Sequence, residues 1–166
     1  RSQWWDLGVQ EKPIAVWCKA FNNTFLVPFM SIDDTYVSDR LYAVYPLCKG
    51  NWVIALNNTL IALSTEIHGR VNLGEGALDN MTYEAAYNYI INPVLINQFK
   101  VRNFEVQNIF TEYGIDPESK VPIPKQEPNP LPDRKAIDDI VFDVLGLNEE
   151  ERKEVYRAVC QLVWER

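Results

Sequence analysis

The densest set of chemistry-bearing residues is the stretch "GRVNLGEGALDNMTYE", Gly69 to Glu84, which holds three glycines, one arginine and two asparagines. Glycines let a backbone approach a ligand and turn its N–H groups toward an anion, so a phosphate cradle is the first chemistry to test. The spacing refuses it. At the Walker spacing Gly69 is followed by Gly74 and then Glu75, which repels a phosphate where a lysine is needed. Gly74-Glu75-Gly76 runs on into Ala77, Leu78 and Asp79, lacks the third glycine of a dinucleotide fingerprint, and follows a helix-like run where a strand is required. What remains locally is a helix C-cap at Gly69 and an irregular turn. His68 is the only histidine, with no evident partners for a triad or a metal cluster, and reads as a residue of a helix C-terminus. Asp138, Asp139 and Asp143 match no metal-binding loop and are expected on the solvated side of a helix whose apolar face is Ile137, Ile140, Val141, Val144 and Leu145. No catalytic, metal or cofactor-binding residue is assigned.

The elements that hold these residues follow from composition and periodicity. In 166 residues, 47% hydrophobic and 12% aromatic, the chain is expected to be globular with one good core, and no apolar run reaches the roughly 20 residues that cross a bilayer. It opens on Arg1 with no apolar leader and reads as a piece of a longer protein. Cys18, Cys48 and Cys160 are odd in number and widely spaced, which fits a reducing cytoplasm better than a disulfide framework or a zinc site. The short β-branched and aromatic runs 14–20, 24–30 and 41–47 predict three strands, the first two as a hairpin around 21–23. Val53, Leu56, Leu60, Leu63 and Ile67 recur at helical spacing, predicting a helix capped by Asn51 and stopped by Gly69; a second is expected from Thr82 to Ile91. Six of the ten prolines fall between Pro117 and Pro132, predicting an extended linker. Beyond it, two helices are expected to meet at Gly146-Leu147-Asn148, with Asn148 and Glu151 forming a capping box. The fold class is therefore α+β: a small mixed sheet with packed helices over 1–112, a proline-rich linker over 113–132, and a C-terminal helical hairpin over 133–166.

Two stretches carry a resemblance. "ALNNTLIALSTEIHGRVNLGEGALDNMTYE" resembles a segment of adenine-specific DNA methyltransferases of restriction-modification systems, and "IDDIVFDVLGLNEEERKEVYRAVCQLVWER" resembles their helical C-terminal tail. The opening "WWDLG" suits the start of their target-recognition region. In such enzymes a separate domain binds S-adenosylmethionine, and an Asn/Asp-Pro-Pro-Tyr/Phe motif holds a flipped adenine for methylation at N6. Asn92-Pro93-Val94-Leu95 and Asn129-Pro130-Leu131-Pro132 lack that motif's second proline and aromatic residue. The resemblance thus implies a DNA target-recognition domain, non-catalytic by itself, with no cofactor of its own. Its partners would be double-stranded DNA and the N-terminal methyltransferase domain of the same parent chain, which would use S-adenosylmethionine.

Within that reading Arg70 and Asn72 are candidate base contacts, since Arg pairs with guanine O6 and N7 and Asn with the adenine edge. Both are equally able to brace the loop, Arg70 by pairing with Glu75 or Asp79. Lys19, Arg40 and Lys49, at or between the expected strands, are candidate phosphate contacts. The net charge of −7 opposes DNA binding, but its excess is uneven: residues 1–110 hold 8 basic and 10 acidic side chains, and residues 111–166 hold 8 and 13. That imbalance keeps an alternative open, a protein-interaction module without DNA binding that uses the acidic helical end.

Overall fold

The computed structural model describes residues 12–13, 15–18, 30–31, 37–38, 40–45, 57–68 and 107–166. It is of the α+β class, with a small sheet and four helices among the described residues.

The strands are β1 (Ala15–Cys18), β2 (Met30–Ser31) and β3 (Leu41–Val44), in the order β2-β1-β3. Both pairings are antiparallel, with Ala15 opposite Ser31 and Ala15 opposite Val44, so the mixed sheet expected from sequence is corrected to an antiparallel one in the described part. Antiparallel neighbours need only short connections, which suits three strands within 45 residues. The central β1 buries Ala15, Val16 and Trp17 in succession, the pattern of a strand covered on both faces. Trp17 sits opposite Tyr42 in register and their rings stack with centroids 6.5 Å apart, a cross-strand aromatic pair that fixes the alignment of β1 with β3.

The helices are α1 (Thr59–His68), α2 (Ile109–Tyr113), α3 (Pro132–Leu145) and α4 (Glu149–Trp164). The helix expected from Asn51 begins at Thr59. Asn57 and Asn58 form the turn that precedes it, and the Asn58 side chain accepts the Ile61 N–H at 3.1 Å as the N-cap. Asparagine side chains compete for nearby backbone donors, which explains why the pair starts a helix that apolar spacing alone would extend further back. The second helix expected over 82–91 lies outside the described residues.

The segment 113–132, expected as a linker, folds back on the helices. Asn129 and Leu131 donate to the carbonyls of Tyr113 and Glu112, both at 2.9 Å, and a short 3-10 turn (Ile123–Lys125) places Ile123 in the core. Gln126 closes the loop, accepting from Asp116 N at 2.8 Å and donating to the carbonyls of Asp116 and Val121. Gly114 ends α2 with φ 63, and a Cβ there would collide with the Asn129 carbonyl oxygen, so the close crossing of this strap requires glycine.

The core gathers Ile109, Phe110 and Tyr113 of α2, Ile115 and Ile123 of the strap, Val141 and Phe142 of α3, and Tyr156, Val159, Cys160 and Val163 of α4. Leu60 and Leu63 of α1 pack against it, and α1 lies along α4. The apolar positions of α4 recur at three- and four-residue spacing and turn one face of the helix inward. Its start is the expected capping box: the Asn148 side chain accepts from Glu150 N and Glu151 N, both at 3.0 Å, and Glu151 Oε2 accepts from Asn148 N at 2.8 Å. Residues on both sides of the expected 113–132 boundary thus share one core.

Candidate functional site

The residues with the most unusual chemical setting lie where α1, α2, α3 and α4 meet. Thr59, Glu112, Arg134 and Asp138 are each at most 2% exposed. Thr59 N donates to Asp138 Oδ1 at 2.7 Å, and Thr59 Oγ1 donates to Oδ2 at 2.5 Å. Arg134, one turn before Asp138 on α3, donates through Nε to Glu112 Oε2 at 3.2 Å and through Nη1 to the Asn57 carbonyl oxygen. The tie therefore joins the start of α1 to α3 by backbone as well as side-chain groups, across a sequence separation of 79 residues at its widest. The hydroxyls of Tyr113 and Tyr156 are buried and outside hydrogen-bond geometry, while close enough to Thr59 and Asp138 to be coupled to them.

Helix geometry puts Arg134, Asp138 and Phe142 on one stripe at four-residue spacing. Asp138 is thereby corrected from the solvated side, where its neighbours Asp139 and Asp143 do lie, to the interior. Val144 and Leu145, expected on the buried face, are about half exposed at the end of α3. Ile137 and Val141 of the expected apolar face are buried as well, so the inward face of α3 is wider than its apolar pattern and takes in Arg134 and Asp138.

Electrostatically, one guanidinium faces two carboxyl groups. Burial raises the Asp138 pKa from 3.8 to about 6, with Arg134, Thr59 and Tyr156 pulling it partly back. Burial works against the Arg134 charge, but Asp138, Tyr113 and Glu112 outweigh it and the pKa is raised. Burial also drives both tyrosines up, keeping them neutral phenols, and pushes the Cys160 thiol up to about 12. A buried carboxyl titrating near 6 has the proton affinity of a general acid or base. Its four near neighbours are donors and rings of the protein itself, and an open depression of about 500 Å3 beside Asn108, Thr111 and Glu118 has none of these residues in its walls. The arrangement ties elements together rather than presenting a reactive atom.

Of the sequence-derived candidates, Arg40 is described: it is exposed in the turn before β3, and its N–H donates to Ser38 Oγ at 3.3 Å. Arg70, Asn72, Lys19 and Lys49 lie outside the described residues, so the structure does not bring the set together. The residues missed from sequence are Thr59, Glu112, Arg134 and Asp138; the four-residue spacing of Arg134, Asp138 and Phe142 is the available signal. Asn57, one of three Asn-x-Thr triplets, is buried and unsuited to carry a glycan in this fold.

Six of the eight basic residues in 111–166 pair with acids: Arg134 as above, Lys135 with Asp139, Arg152 with Asp139 and Asp143, Lys153 with Glu127, Arg157 with Glu150, Glu154 and Glu127, and Arg166 with Glu66. Among the described residues no three His, Cys, Asp or Glu side chains group to hold a metal ion, and no helix is long and apolar enough to cross a membrane. No family of known proteins, no curated protein and no solved structure matches the chain.

Proposed function

We propose that the chain is the DNA target-recognition part of a site-specific adenine-N6 methyltransferase of a restriction-modification system. It reads double-stranded DNA in the cytoplasm for a methyltransferase domain of the same parent chain, which uses S-adenosylmethionine. What carries this reading is the resemblance of the stretch from Ala55 to Glu84 to a segment of such enzymes. The charge layout supports a division of surfaces. Five of the eight cations of 111–166 are engaged with that region's own acids, and in this reading Lys19, Arg40 and Lys49 are the phosphate contacts and Arg70 and Asn72 the base readers.

The test is selection of duplexes with a randomised central segment on the purified chain, followed by sequencing of those retained. A shared site is expected to be enriched, and Arg70→Ala is expected to weaken binding to it by about 1 to 3 kcal/mol and relax preference at one base pair. Enrichment of no sequence, in low salt as well as moderate salt, ends the reading.

One observation favours a second reading, a protein-interaction module. Ile67 and Trp164 are 63% and 54% exposed near the end where Arg166 pairs with Glu66, and large exposed apolar side chains are common in interfaces. Retention of no DNA together with a concentration-dependent association through Trp164 would favour it.

A further inference from the structure

We infer that the strap is a self-association surface: the loop 120–125 of one chain seats in the acid-rimmed depression beside α2 of a second copy, and the reverse, about a two-fold axis. This surface stands apart from the DNA reading above. Three observations carry it. First, the depression of about 500 Å3 has Phe110, Ile115 and Pro117 as its apolar lining and Asp116 and Glu118 as its charged one, and a cleft of that size takes several side chains. Both carboxyl groups are exposed, and among the described residues neither is in an ion pair. Second, Lys120 and Lys125 are the two cations of 111–166 that meet no acid among the described residues, and they flank Val121, Pro122 and Pro124, all exposed. The loop thus carries the charge opposite to that of the depression, beside apolar surface that matches its lining. Third, the loop is held in shape before any partner arrives. Gln126 accepts from Asp116 N and donates to the carbonyls of Asp116 and Val121, and Ser119 Oγ accepts from Val121 N at 3.2 Å. A loop closed in this way, and stiffened by two prolines, loses little conformational freedom on docking. The closed loop holds neither lysine against a carboxylate of its own strap, so both sets of charges are left for a neighbour. Loop and depression adjoin on one strap, which is the arrangement a two-fold pairing requires, since each then covers its counterpart on the other copy. A nucleic acid is the wrong occupant, because Asp116 and Glu118 repel phosphate.

The experiment is sedimentation equilibrium of the whole chain, without DNA, over a concentration series from about 10 to about 500 µM, the range of a small, transient interface. The mass of the wild type is expected to rise toward twice that of the monomer, and to rise less in about 0.5 M salt than in about 0.05 M. Glu118→Lys makes the depression basic, and Lys120→Glu with Lys125→Glu makes the loop acidic. Each variant alone then faces like charges at both junctions and is expected to associate about tenfold more weakly. An equal mixture of the two places every loop over a depression of opposite charge, and is expected to recover the wild-type association. If Glu118→Lys does not fold, Glu118→Gln, which removes the charge alone, carries the comparison with an expected loss of about threefold. A wild type that stays monomeric throughout overturns the inference, as does an association that survives both reversals or that the mixture fails to recover. Association lost in Trp164→Ala and unchanged in Glu118→Lys overturns it in favour of the apolar end of α4. Monomeric wild type that binds a synthetic lysine- and proline-rich peptide, and loses it in Glu118→Lys, overturns it in favour of a cationic segment of another protein.

Discussion

Asp138 receives two hydrogen bonds from Thr59 and lies one helical turn from a guanidinium, yet leaving water costs it more than these return, and its pKa rises to about 6. The consequence for stability has a definite sign. Between pH about 4 and about 6 the folded chain keeps a proton on Asp138 that the unfolded chain has released, so this group's contribution falls as pH rises through that window and levels off above it. The shift corresponds to roughly 3 kcal/mol. The difference in unfolding free energy between wild type and Asp138→Asn, from urea titrations at pH 4, 5, 6 and 7, is expected to move against the wild type as pH increases; the opposite slope would show that Arg134 outweighs burial. Arg134→Met removes a cation that, among the described residues, faces two carboxyl groups, and is expected to destabilise by about 3 to 5 kcal/mol, because it removes one partner of a buried pair rather than replacing the pair by packed apolar groups.

At the scale of elements, two glycines end helices with the same left-handed geometry and different surroundings. A Cβ added at Gly146, where φ is 69, would meet nothing within 4 Å, while at Gly114 the same carbon meets the Asn129 carbonyl. Gly146→Ala is expected to cost about 1 kcal/mol of left-handed strain, and Gly114→Ala about 2 kcal/mol more because the strap must also lift; equal shifts in melting temperature would refute the role given to the strap. These contrasts show what is legible in the sequence. The capping box at Asn148 and Glu151 and the glycine stop at Gly146 are local, so their residues announce them. The three strands announce themselves by β-branched and aromatic runs, and the hairpin expected of the first two agrees with the antiparallel pairing of β1 with β2, whereas the direction of β3 is not announced. The start of α1 is hidden because apolar spacing continues through Asn57 and Asn58, whose capping strength outweighs it. The strap reads as a linker because proline content reports local stiffness, whereas the burial of Ile123 depends on helices distant in sequence. The place of Asp138 is hidden for the same reason: Asp138-Asp139 looks solvated until Thr59 arrives from 79 residues away. Among the candidate DNA contacts only Arg40 falls in the described structure, so the site is legible as residue types and not as a surface.

At the scale of the whole molecule, a chain of net charge −7 can approach a polyanion only if its charges are segregated. In the DNA reading proposed above, the helical end supplies the segregation by carrying most of the excess acid, 13 acidic against 8 basic side chains in residues 111–166. Its surface ion pairs add little to stability, since Lys135, Arg152, Lys153 and Arg157 meet partially exposed acids across high dielectric, but they hold those cations against acids of the same surface. Each phosphate neutralised by a protein cation releases counterions, so the slope of log affinity against log salt counts the cations engaged. Lys19→Ala, Arg40→Ala and Lys49→Ala are therefore each expected to make that slope shallower by about one and to weaken cognate and non-cognate duplexes alike. Arg152→Ala and Arg157→Ala, which free acidic groups on the helical end, are expected to leave the slope unchanged and to weaken binding slightly through added long-range repulsion, an effect that salt above the roughly 0.15 M of physiological solution should suppress. Binding isotherms for the five variants across a salt series separate the two groups. A slope reduced as much by Arg152→Ala as by Lys49→Ala would place DNA on the helical end and reverse the division of surfaces.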